Sequence, residues 1–146
     1  MPPMNLRNER PHERDAVRSL LIGAALPVAD LDDTRVQFIV ATDNDEPVGA
    51  IGLESFGDAG LLRSLVVRPA LRGTGIGGRL VDALESLARE SGCRQLILLT
   101  QTAAPFFASR GYRVIERDAA PANVRSAEEF RSLCPASATC MTKILD

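Results

Sequence analysis

The amino-acid sequence predicts one α/β domain, α+β in arrangement, in which a mixed, mostly antiparallel central sheet is flanked by helices. Two segments rich in Val and Ile, 37–41 and 48–55, enclose turn-forming residues and predict an antiparallel hairpin. The nearly uninterrupted apolar runs 61–67 and 95–100 predict strands that are buried on both faces. Because a helical pattern separates these two runs, we expect them to form a parallel pair.

Composition limits the range of functions. With 146 residues, 45% of them hydrophobic, the chain has the length and apolar content of a single domain over residues 1–146. Its net charge is -2 and its basic residues are interspersed with acidic ones, which argues against nucleic acid as a partner. The sequence contains no apolar run close to the roughly 20 residues of a membrane span, and residues 1–10 lack the apolar region of a signal peptide, so we expect neither feature. Three cysteines without metal-ligand spacing favour a reducing compartment, so we expect a cytoplasmic protein without a metal site.

The first half of the chain begins with a short predicted strand, Met4 to Arg7, and an amphipathic helix. The apolar residues of this helix extend to Ala24 and Ala25, and Pro27 ends the run. Turns are predicted over 42–47 and 57–60, on either side of the second hairpin strand. Pro69 ends the buried strand that follows.

The second half opens with a helix from Gly75, which has an apolar stripe on one face and charged residues opposite, and Gly92 ends it. The charged face is formed by Arg79, Asp82, Glu85, Arg89 and Glu90. After the strand 95–100, the pattern predicts a short helix over 103–110, closed by Gly111, and a strand over 112–116. One or two helical turns around 127–133 and a last strand over 138–144 complete the prediction.

A glycine-rich loop, Arg72 to Gly78, connects a buried strand to the strongest predicted helix. Glycines allow a ligand to approach the backbone, and the unpaired amides at a helix start favour phosphate oxygens. A flexible turn is the alternative, but four glycines and Arg72 at this junction favour anion binding. Gly73, Gly75 and Gly78 match a dinucleotide fingerprint, yet the following strand ends without the required acidic residue. The loop also lacks the Gly-Lys-Ser/Thr of a P-loop.

The same loop, together with the strand before it, resembles the acetyl-CoA motif of the GNAT superfamily of N-acetyltransferases. The matching pattern is Leu65-x-Val67-x-Pro69 followed by Arg72-x-x-Gly75-x-Gly77, within a resemblance that covers 37–116. It implies a GNAT-like fold whose parallel strands splay apart at the cofactor site, acetyl-CoA as acyl donor, and a small-molecule amine as acceptor. The residues implied to bind the cofactor are Leu65, Val66, Val67, Arg72, Gly73, Thr74, Gly75, Ile76, Gly77, Gly78 and Phe107.

The flanks of the sequence show a narrower resemblance. Leu26-Pro27-x-x-Asp30-Leu31, together with Phe130-x-x-Leu133-Cys134-Pro135-x-Ser137-Ala138, is similar to acetyltransferases associated with bacterial arsenic resistance. This resemblance implies an amino-acid-like acceptor, including one that bears an arsinate or phosphinate group. Cys134 and Cys140 could meet trivalent arsenic, although buried structural thiols are the commoner explanation.

The usual proton donor of the family has no counterpart in its expected position. Phe107 occupies the slot where relatives present a tyrosine, and Thr100 stands where they often have asparagine. Water or another residue is then the proton donor; Tyr112, the only tyrosine, is a candidate, although its position at the start of a strand is more typical of a core residue. Glu54, at the end of a hairpin strand, is the best placed catalytic base, with a solvated carboxylate as the alternative. His12 is expected to be exposed.

Two polar residues, Arg63 and Ser64, interrupt an otherwise apolar strand and are candidates for substrate binding. A buried guanidinium without a partner would cost several kcal/mol, so Arg63 needs an anion. That anion is either a carboxylate of the protein or an oxyanion of the substrate, and the sequence leaves both open.

A second function remains compatible with the sequence, namely a non-catalytic module that binds acyl-CoA as a sensor. Its main support is the phenylalanine in the tyrosine slot. A homodimer is also compatible with the sequence.

Overall fold

The computed structural model describes residues 4–32, 35–127, 130 and 137–145. Short 3-10 turns lie at Pro11–Glu13, Pro69–Leu71 and Arg117–Ala119. In chain order the helices and strands are β1 Met4–Asn8, α1 Arg14–Gly23, β2 Gln37–Asp43, β3 Glu46–Phe56, β4 Ala59–Val67, α2 Ile76–Glu90, β5 Gln95–Thr100, α3 Ala104–Ala108, β6 Arg113–Val114, α4 Ala122–Arg125 and β7 Thr139–Ile144.

The strands form one seven-stranded sheet in the order β1-β2-β3-β4-β5-β7-β6. The neighbouring strands pair antiparallel, except for β4 and β5, which run parallel on either side of the crossover through α2. The predicted fold class is therefore confirmed, including the single parallel pair.

Helices cover both faces of this sheet. On one face, α2 packs its apolar stripe against residues such as Leu53, Leu62 and Leu96. On the other face, α1 covers Phe38 and Val40, while α4 and Phe130 cover Leu61 further along the sheet. In the described part of the chain, no helix combines the length and apolar character needed to cross a bilayer.

The hairpin between β2 and β3 is tighter than predicted. Only Asn44 and Asp45 form the turn, with φ angles of 51° and 65°, because the strands continue to Asp43 and resume at Glu46. Two left-handed residues in succession match the right-handed twist of the flanking strands, and Asn and Asp tolerate that conformation well.

Helix α1 ends earlier than predicted, at Gly23 rather than near Ala25. Ala25 adopts a left-handed φ of 57°, and its amide donates to the Ile22 carbonyl at 3.0 Å. The Leu26 amide donates to the Leu21 carbonyl, also at 3.0 Å. These two hydrogen bonds form the Schellman motif that ends a helix. The spacing of apolar residues alone does not locate such a motif.

One residue of the predicted polar face of α2 is buried. Glu85 is 6% exposed, although helical spacing groups it with solvent-facing charges. Tyr112 and Lys143 approach from the other side and hydrogen bond to its carboxylate. These partners make burial of the charge tolerable, and they come from parts of the chain that a helical wheel does not include.

The C-terminal third also differs in its bounds. α3 covers only Ala104–Ala108, and β6 contains only Arg113 and Val114. A helical turn, α4, lies before the position predicted for one, which falls largely outside the described residues. The last strand is confirmed as β7, the partner of both β5 and β6.

Candidate functional site

The site begins where the parallel strands separate. The β4–β5 ladder joins only the residues from Ala59 to Leu61 with those from Gln95 to Ile97. Beyond this point β4 continues to pair with β3, and β5 with β7, so the two strands diverge. The β5-facing backbone of 62–67 is thereby left outside the described ladder, and two connected clefts open along it.

A bulge in β4 lies at the start of this gap. The register with β3 shifts between Ala50 and Gly52, which leaves an extra residue in β4. Ser64 there has a φ of 59°, a left-handed conformation that is uncommon for a residue with a side chain. The bulge redirects the backbone of Leu65 relative to a regular strand.

The larger cleft has a volume of about 560 Å³ and brings together most of the residues predicted to bind the cofactor. Thr74 is the exception in the glycine-rich loop, because it is not among the lining residues and its Oγ1 donates to the Leu71 carbonyl at 2.5 Å. The predicted cofactor residues that line the cleft are Leu65, Val66, Val67, Arg72, Gly73, Gly75, Ile76, Gly77 and Gly78.

The glycines of the loop have different roles. Gly73 and Gly75 have φ angles of 82° and 87°, so both need the left-handed freedom of glycine. A Cβ at Gly77 would instead point at the cleft wall, 3.8 Å from Phe106 Cζ and 4.0 Å from Val67 Cγ2. Gly78 lies against Arg110, where a Cβ would come within 2.9 Å of Nη1. A side chain at Gly78 would therefore displace the flexible end of Arg110, whereas one at Gly77 would pack against the cleft wall.

The start of α2 is suited to an anion. No described side chain caps the helix at Gly75, so the first amides of α2 are not satisfied by a cap. Those amides carry the partial positive charge of the helix dipole and face a cleft that Arg72 also lines. The residues present therefore suit the pyrophosphate of a CoA ester.

The smaller cavity, of about 330 Å³, lies beside the bulge. Its walls come from the 24–27 segment after α1, residues 62–65 of β4, residues 98–103 at the end of β5, Phe107 and Ala138. Leu26, Leu65 and Ala103 line both the cavity and the larger cleft. The two spaces therefore meet beside Leu65, where a bound donor and an acceptor could come into contact.

Arg63 is held by the protein, as one of the two alternatives from sequence predicted. Its fully buried guanidinium pairs with both Asp30 oxygens, with Nη1–Oδ2 at 2.6 Å and Nη2–Oδ1 at 2.7 Å. Nη1 also donates to Glu54 Oε1 at 2.9 Å, and Nε donates to Ser64 Oγ at 3.2 Å. Arg63 and Ser64 line the smaller cavity, with the guanidinium occupied by internal carboxylates.

Glu54 does not lie directly at the smaller cavity. It is 7% exposed, one of its oxygens accepts the Arg63 hydrogen bond, and it is absent from the described lining of the cavity. The sequence could not show this, because Glu54 and Arg63 meet only through the β3–β4 register.

The aromatic residues divide between the two spaces. Phe107 lines the smaller cavity and packs edge-to-face against Phe106 and Tyr112, with ring centroids 5.1 Å and 5.4 Å away. Phe106 lines the larger cleft, a placement that the sequence analysis did not predict. Thr100 Oγ1 accepts the Ala103 amide at 3.0 Å, which fixes the turn into α3.

Sequence reasoning also missed the contribution of the 24–27 segment and of Asp30. In the sequence, the Leu26-Pro27 pair directly after an amphipathic helix indicates that the chain turns there. It does not indicate which part of the fold the following segment packs against. Of the thiols, Cys93 and Cys140 are buried and unbridged, and desolvation raises the pKa of each. Cys134 lies outside the described residues.

The chain is similar to named acetyltransferases in sequence. The uncharacterized N-acetyltransferase YjcF of Bacillus subtilis is 38% identical over 84 residues, which span 57% of this chain and 60% of that protein. Mouse N-alpha-acetyltransferase 80 is 43% identical over 56 residues, 38% of this chain and 18% of that protein. The matches thus cover less than two thirds of these relatives.

Solved structures extend the likeness to the whole fold. N-acetylglutamate synthase of Neisseria gonorrhoeae, in complex with coenzyme A and N-acetyl-glutamate, superposes with a TM-score of 0.83 at 19% identity, over 100% of this chain and 36% of that one. Rv2747 of Mycobacterium tuberculosis, in complex with CoA, gives a TM-score of 0.81 at 26% identity, over 97% of this chain and 99% of that one.

A family model for the acetyltransferase (GNAT) domain matches residues 34–114, more than half of the chain. This segment runs from just before β2 to β6 and includes the separated strands and the glycine-rich loop. GNAT enzymes use acetyl-CoA as the acyl donor. The chain belongs to the GNAT family of acetyltransferases.

Proposed function

We propose that this protein transfers an acetyl group from acetyl-CoA to the amine of a small molecule. The observation that carries the proposal is the meeting of two spaces at Leu65: a long cleft that ends in an anion-binding loop and a compact cavity beside the β4 bulge. Such an arrangement places an extended donor and a small acceptor end to end.

The cofactor would lie along the larger cleft. Backbone amides of 73–78 would bind the pyrophosphate, with Arg72 adding positive charge. The β5-facing backbone of 65–67 would bind the pantetheine and hold the acetyl group beside the cavity, because β5 has already turned away there. Acetyl-CoA supplies the activated thioester, whereas the protein must bind and orient both substrates and assist proton transfer.

The acceptor would enter the smaller cavity. Its described walls are largely apolar, with Ser64, Thr100 and Gln101 among the polar residues, and its volume suits a compact amine better than a folded protein surface. Because Asp30 and Glu54 already hold Arg63, the main specificity for an acceptor acid would come from other groups.

The reaction needs a base for the acceptor amine and a proton donor for the departing thiolate. The acceptor must lose a proton before its nitrogen can attack, and Glu54 is our candidate base, acting through water since Arg63 occupies one of its oxygens. Phe107 cannot protonate the departing thiolate, so water in the open cleft would supply that proton.

The test measures CoA release from acetyl-CoA in the presence of a panel of amines: polar and apolar amino acids, a polyamine, and an amino acid bearing a phosphinate group. The last compound tests the narrower resemblance to arsenic-resistance acetyltransferases. Acetylation of at least one amine, identified by mass spectrometry, supports the proposal. Binding of CoA without turnover of any amine would instead favour the acyl-CoA sensor.

A matched pair of glycine variants tests the cofactor site. Gly75→Val and Gly92→Val place the same side chain at nearly the same left-handed φ, 87° and 89°, and neither Cβ would have a neighbour within 4 Å. Their cost to stability should therefore be similar. Only Gly75→Val should weaken CoA binding, by at least tenfold in calorimetry, because Gly92 follows the far end of α2. Equal CoA affinities in the two variants would contradict the proposed site.

A further inference from the structure

The Arg63 ion cluster joins two parts of the acceptor cavity that are far apart in the sequence. Asp30 belongs to the segment after α1, which lines both clefts through Ala24 and Leu26. Arg63 directly precedes Ser64, the left-handed residue of the β4 bulge. The bidentate pair between Asp30 and Arg63 therefore directly links the segment after α1 to the β4 bulge, and both of these parts line the cavity.

The sheet makes room for this link. Gly52 pairs with Arg63 across the β3–β4 ladder, and a Cβ at Gly52 would lie 3.4 Å from Arg63 Cγ and 2.8 Å from Val36 Cγ1. The arginine side chain crosses the sheet face over this glycine and reaches Asp30, which is 4% exposed. A planar guanidinium that makes two parallel hydrogen bonds fixes orientation as well as distance.

Both linked parts are conformationally demanding. Ala25 and Ser64 have φ angles of 57° and 59°, and such residues persist only where their surroundings hold them. Ser64 Oγ accepts a hydrogen bond from Arg63 Nε, so the same guanidinium that holds Asp30 also holds the bulge residue.

We infer that Asp30 is a positioning residue: through Arg63 it holds the 24–32 segment against the β4 bulge and so sets the shape of the acceptor cavity. Asp30 itself is not among the residues that line the cavity or the larger cleft. The glycine-rich loop, 72–78, leads into a different element, α2. Because Ala24 and Leu26 also line the larger cleft, loss of the link should weaken acceptor binding most and CoA binding less.

The first test uses amide hydrogen exchange and rests on no assumption about activity. Asp30→Asn should raise exchange at least tenfold in peptides covering 24–32 and 63–66, relative to the strand 95–100, and leave 72–78 at the wild-type ratio. Asp32→Asn is the matched control, because Asp32 lies in the same segment but is 82% exposed and pairs with Arg18 at 2.7 Å. A uniform increase over the whole chain would mean that Asp30 only stabilises the fold, and would overturn the inference.

The second test rests on the proposed function and uses the best acceptor from the amine panel. Asp30→Asn should raise the acceptor KM at least tenfold, and the dissociation constant for CoA by a clearly smaller factor, about threefold or less. If the wild-type protein acetylates none of the amines, the proposed function is rejected. Hydrogen exchange would then still decide the role of Asp30. Wild-type kinetic constants in Asp30→Asn, with normal turnover by the parent protein, would reject the inference alone.

A third variant covers the case in which Asp30→Asn does not fold. Asp30→Glu keeps the charge that Arg63 needs, but its longer side chain shifts the carboxylate relative to the guanidinium. We expect a folded protein with the same pattern of local exchange, raised about threefold or more. Exchange and acceptor KM equal to those of the wild type would show that geometry at this pair is unimportant.

Discussion

Tyr112 donates a hydrogen bond from its hydroxyl to Glu85 Oε2 across 2.9 Å, with both side chains buried between α2 and the start of β6. Burial and the negative charge of Glu85 raise the pKa of Tyr112 well above its usual value. A hydroxyl that is hard to ionise and already hydrogen bonded to a carboxylate is suited to a structural role rather than to proton transfer. The relationship accounts for the only tyrosine of the chain without giving it a part in proton transfer.

Replacement of this hydroxyl should therefore change stability and spare turnover. Tyr112→Phe should lower the free energy of unfolding by about 1–2 kcal/mol, because Glu85 loses one of its buried hydrogen bonds. The acetylation rate should stay within about threefold of the wild type, a difference small beside the effect of losing a general acid. Denaturant titration and turnover of the best acceptor measure the two quantities. A hundredfold loss of turnover in a stable variant would make Tyr112 the proton donor.

Lys143 is the cationic partner of the same carboxylate. Its Nζ lies 3.1 Å from each Glu85 oxygen and donates to the Arg110 carbonyl at 2.9 Å. Lys143→Met keeps much of the apolar stem but leaves Glu85 without its nearest full charge. We expect a loss of roughly 2–4 kcal/mol in the free energy of unfolding. Partial recovery in Lys143→Met with Glu85→Gln would locate the cost in the unpaired charge, and additive losses would contradict that account.

Glu13 should make the free energy of unfolding depend on pH in the acidic range. Hydrogen bonds from Arg7, at 2.7 Å and 2.8 Å, and from the Arg10 amide lower the pKa of Glu13 from 4.5 to about 2. Because the unfolded chain binds this proton more readily, the contribution is complete above about pH 5 and disappears as the pH falls toward 2. Wild type should lose roughly 2 kcal/mol more than Glu13→Gln across this interval. Asp45→Asn is the control, since Asp45 pairs with the same Arg7 but is 67% exposed. A Glu13→Gln curve parallel to that of the wild type would exclude this role.

The end of α1 offers a stabilising substitution. Ala25 has a φ of 57°, where a Cβ is unfavourable, whereas the neighbouring Ala24 has a φ of -98°. Ala25→Gly should therefore raise the free energy of unfolding by about 0.5–1 kcal/mol, even though glycine gains entropy in the unfolded chain. Ala24→Gly should lower it, because only the entropic cost applies there. Thermal melting of both variants measures the difference, and a shift in the same direction for both would contradict the argument.

The sheet was predictable because its signals are local. Alternation, turn residues and the crossover helix together specify the order of β2 to β5 and the parallel pair. The bounds of α1 and α3 were less accessible, since Ala25 ends its helix through a left-handed conformation that glycine normally signals. The burial of Glu85 could not be predicted from the sequence, because its partners lie 27 and 58 residues further along the chain.

The cleft proposed for the cofactor has a clearer sequence signal than the cavity proposed for the acceptor, for the same reason. The proposed anion site consists of consecutive residues, 72–78, and would act mainly through backbone amides, so its sequence signal is compact. The cavity instead combines the 24–27 segment, the β4 bulge and the end of β5. Arg63 was recognisable as a residue that needs an anion, but Asp30 could be identified as that anion only from the fold.

Phe107 provides the sharpest test of how the thiolate gains its proton. The residue is 4% exposed and lines the acceptor cavity, with Phe106 and Tyr112 packed edge-on against its ring. A tyrosine at this position adds a hydroxyl to a ring whose packing is otherwise preserved. We therefore expect Phe107→Tyr to fold, with a melting temperature close to that of the wild type.

Turnover should rise in Phe107→Tyr. A thiol with a pKa near 8.5 leaves readily enough for water to protonate it, so the missing acid costs at most the roughly 10²- to 10⁴-fold typical of general acid catalysis. A tyrosine hydroxyl that reaches the sulfur would recover part of that factor, and it would appear in the turnover number rather than in CoA affinity. Phe107→Leu is the control, because it alters packing without adding a donor. A large loss of turnover in Phe107→Tyr with unchanged CoA affinity would mean that the phenylalanine shapes the acceptor cavity and that the proton comes from another group.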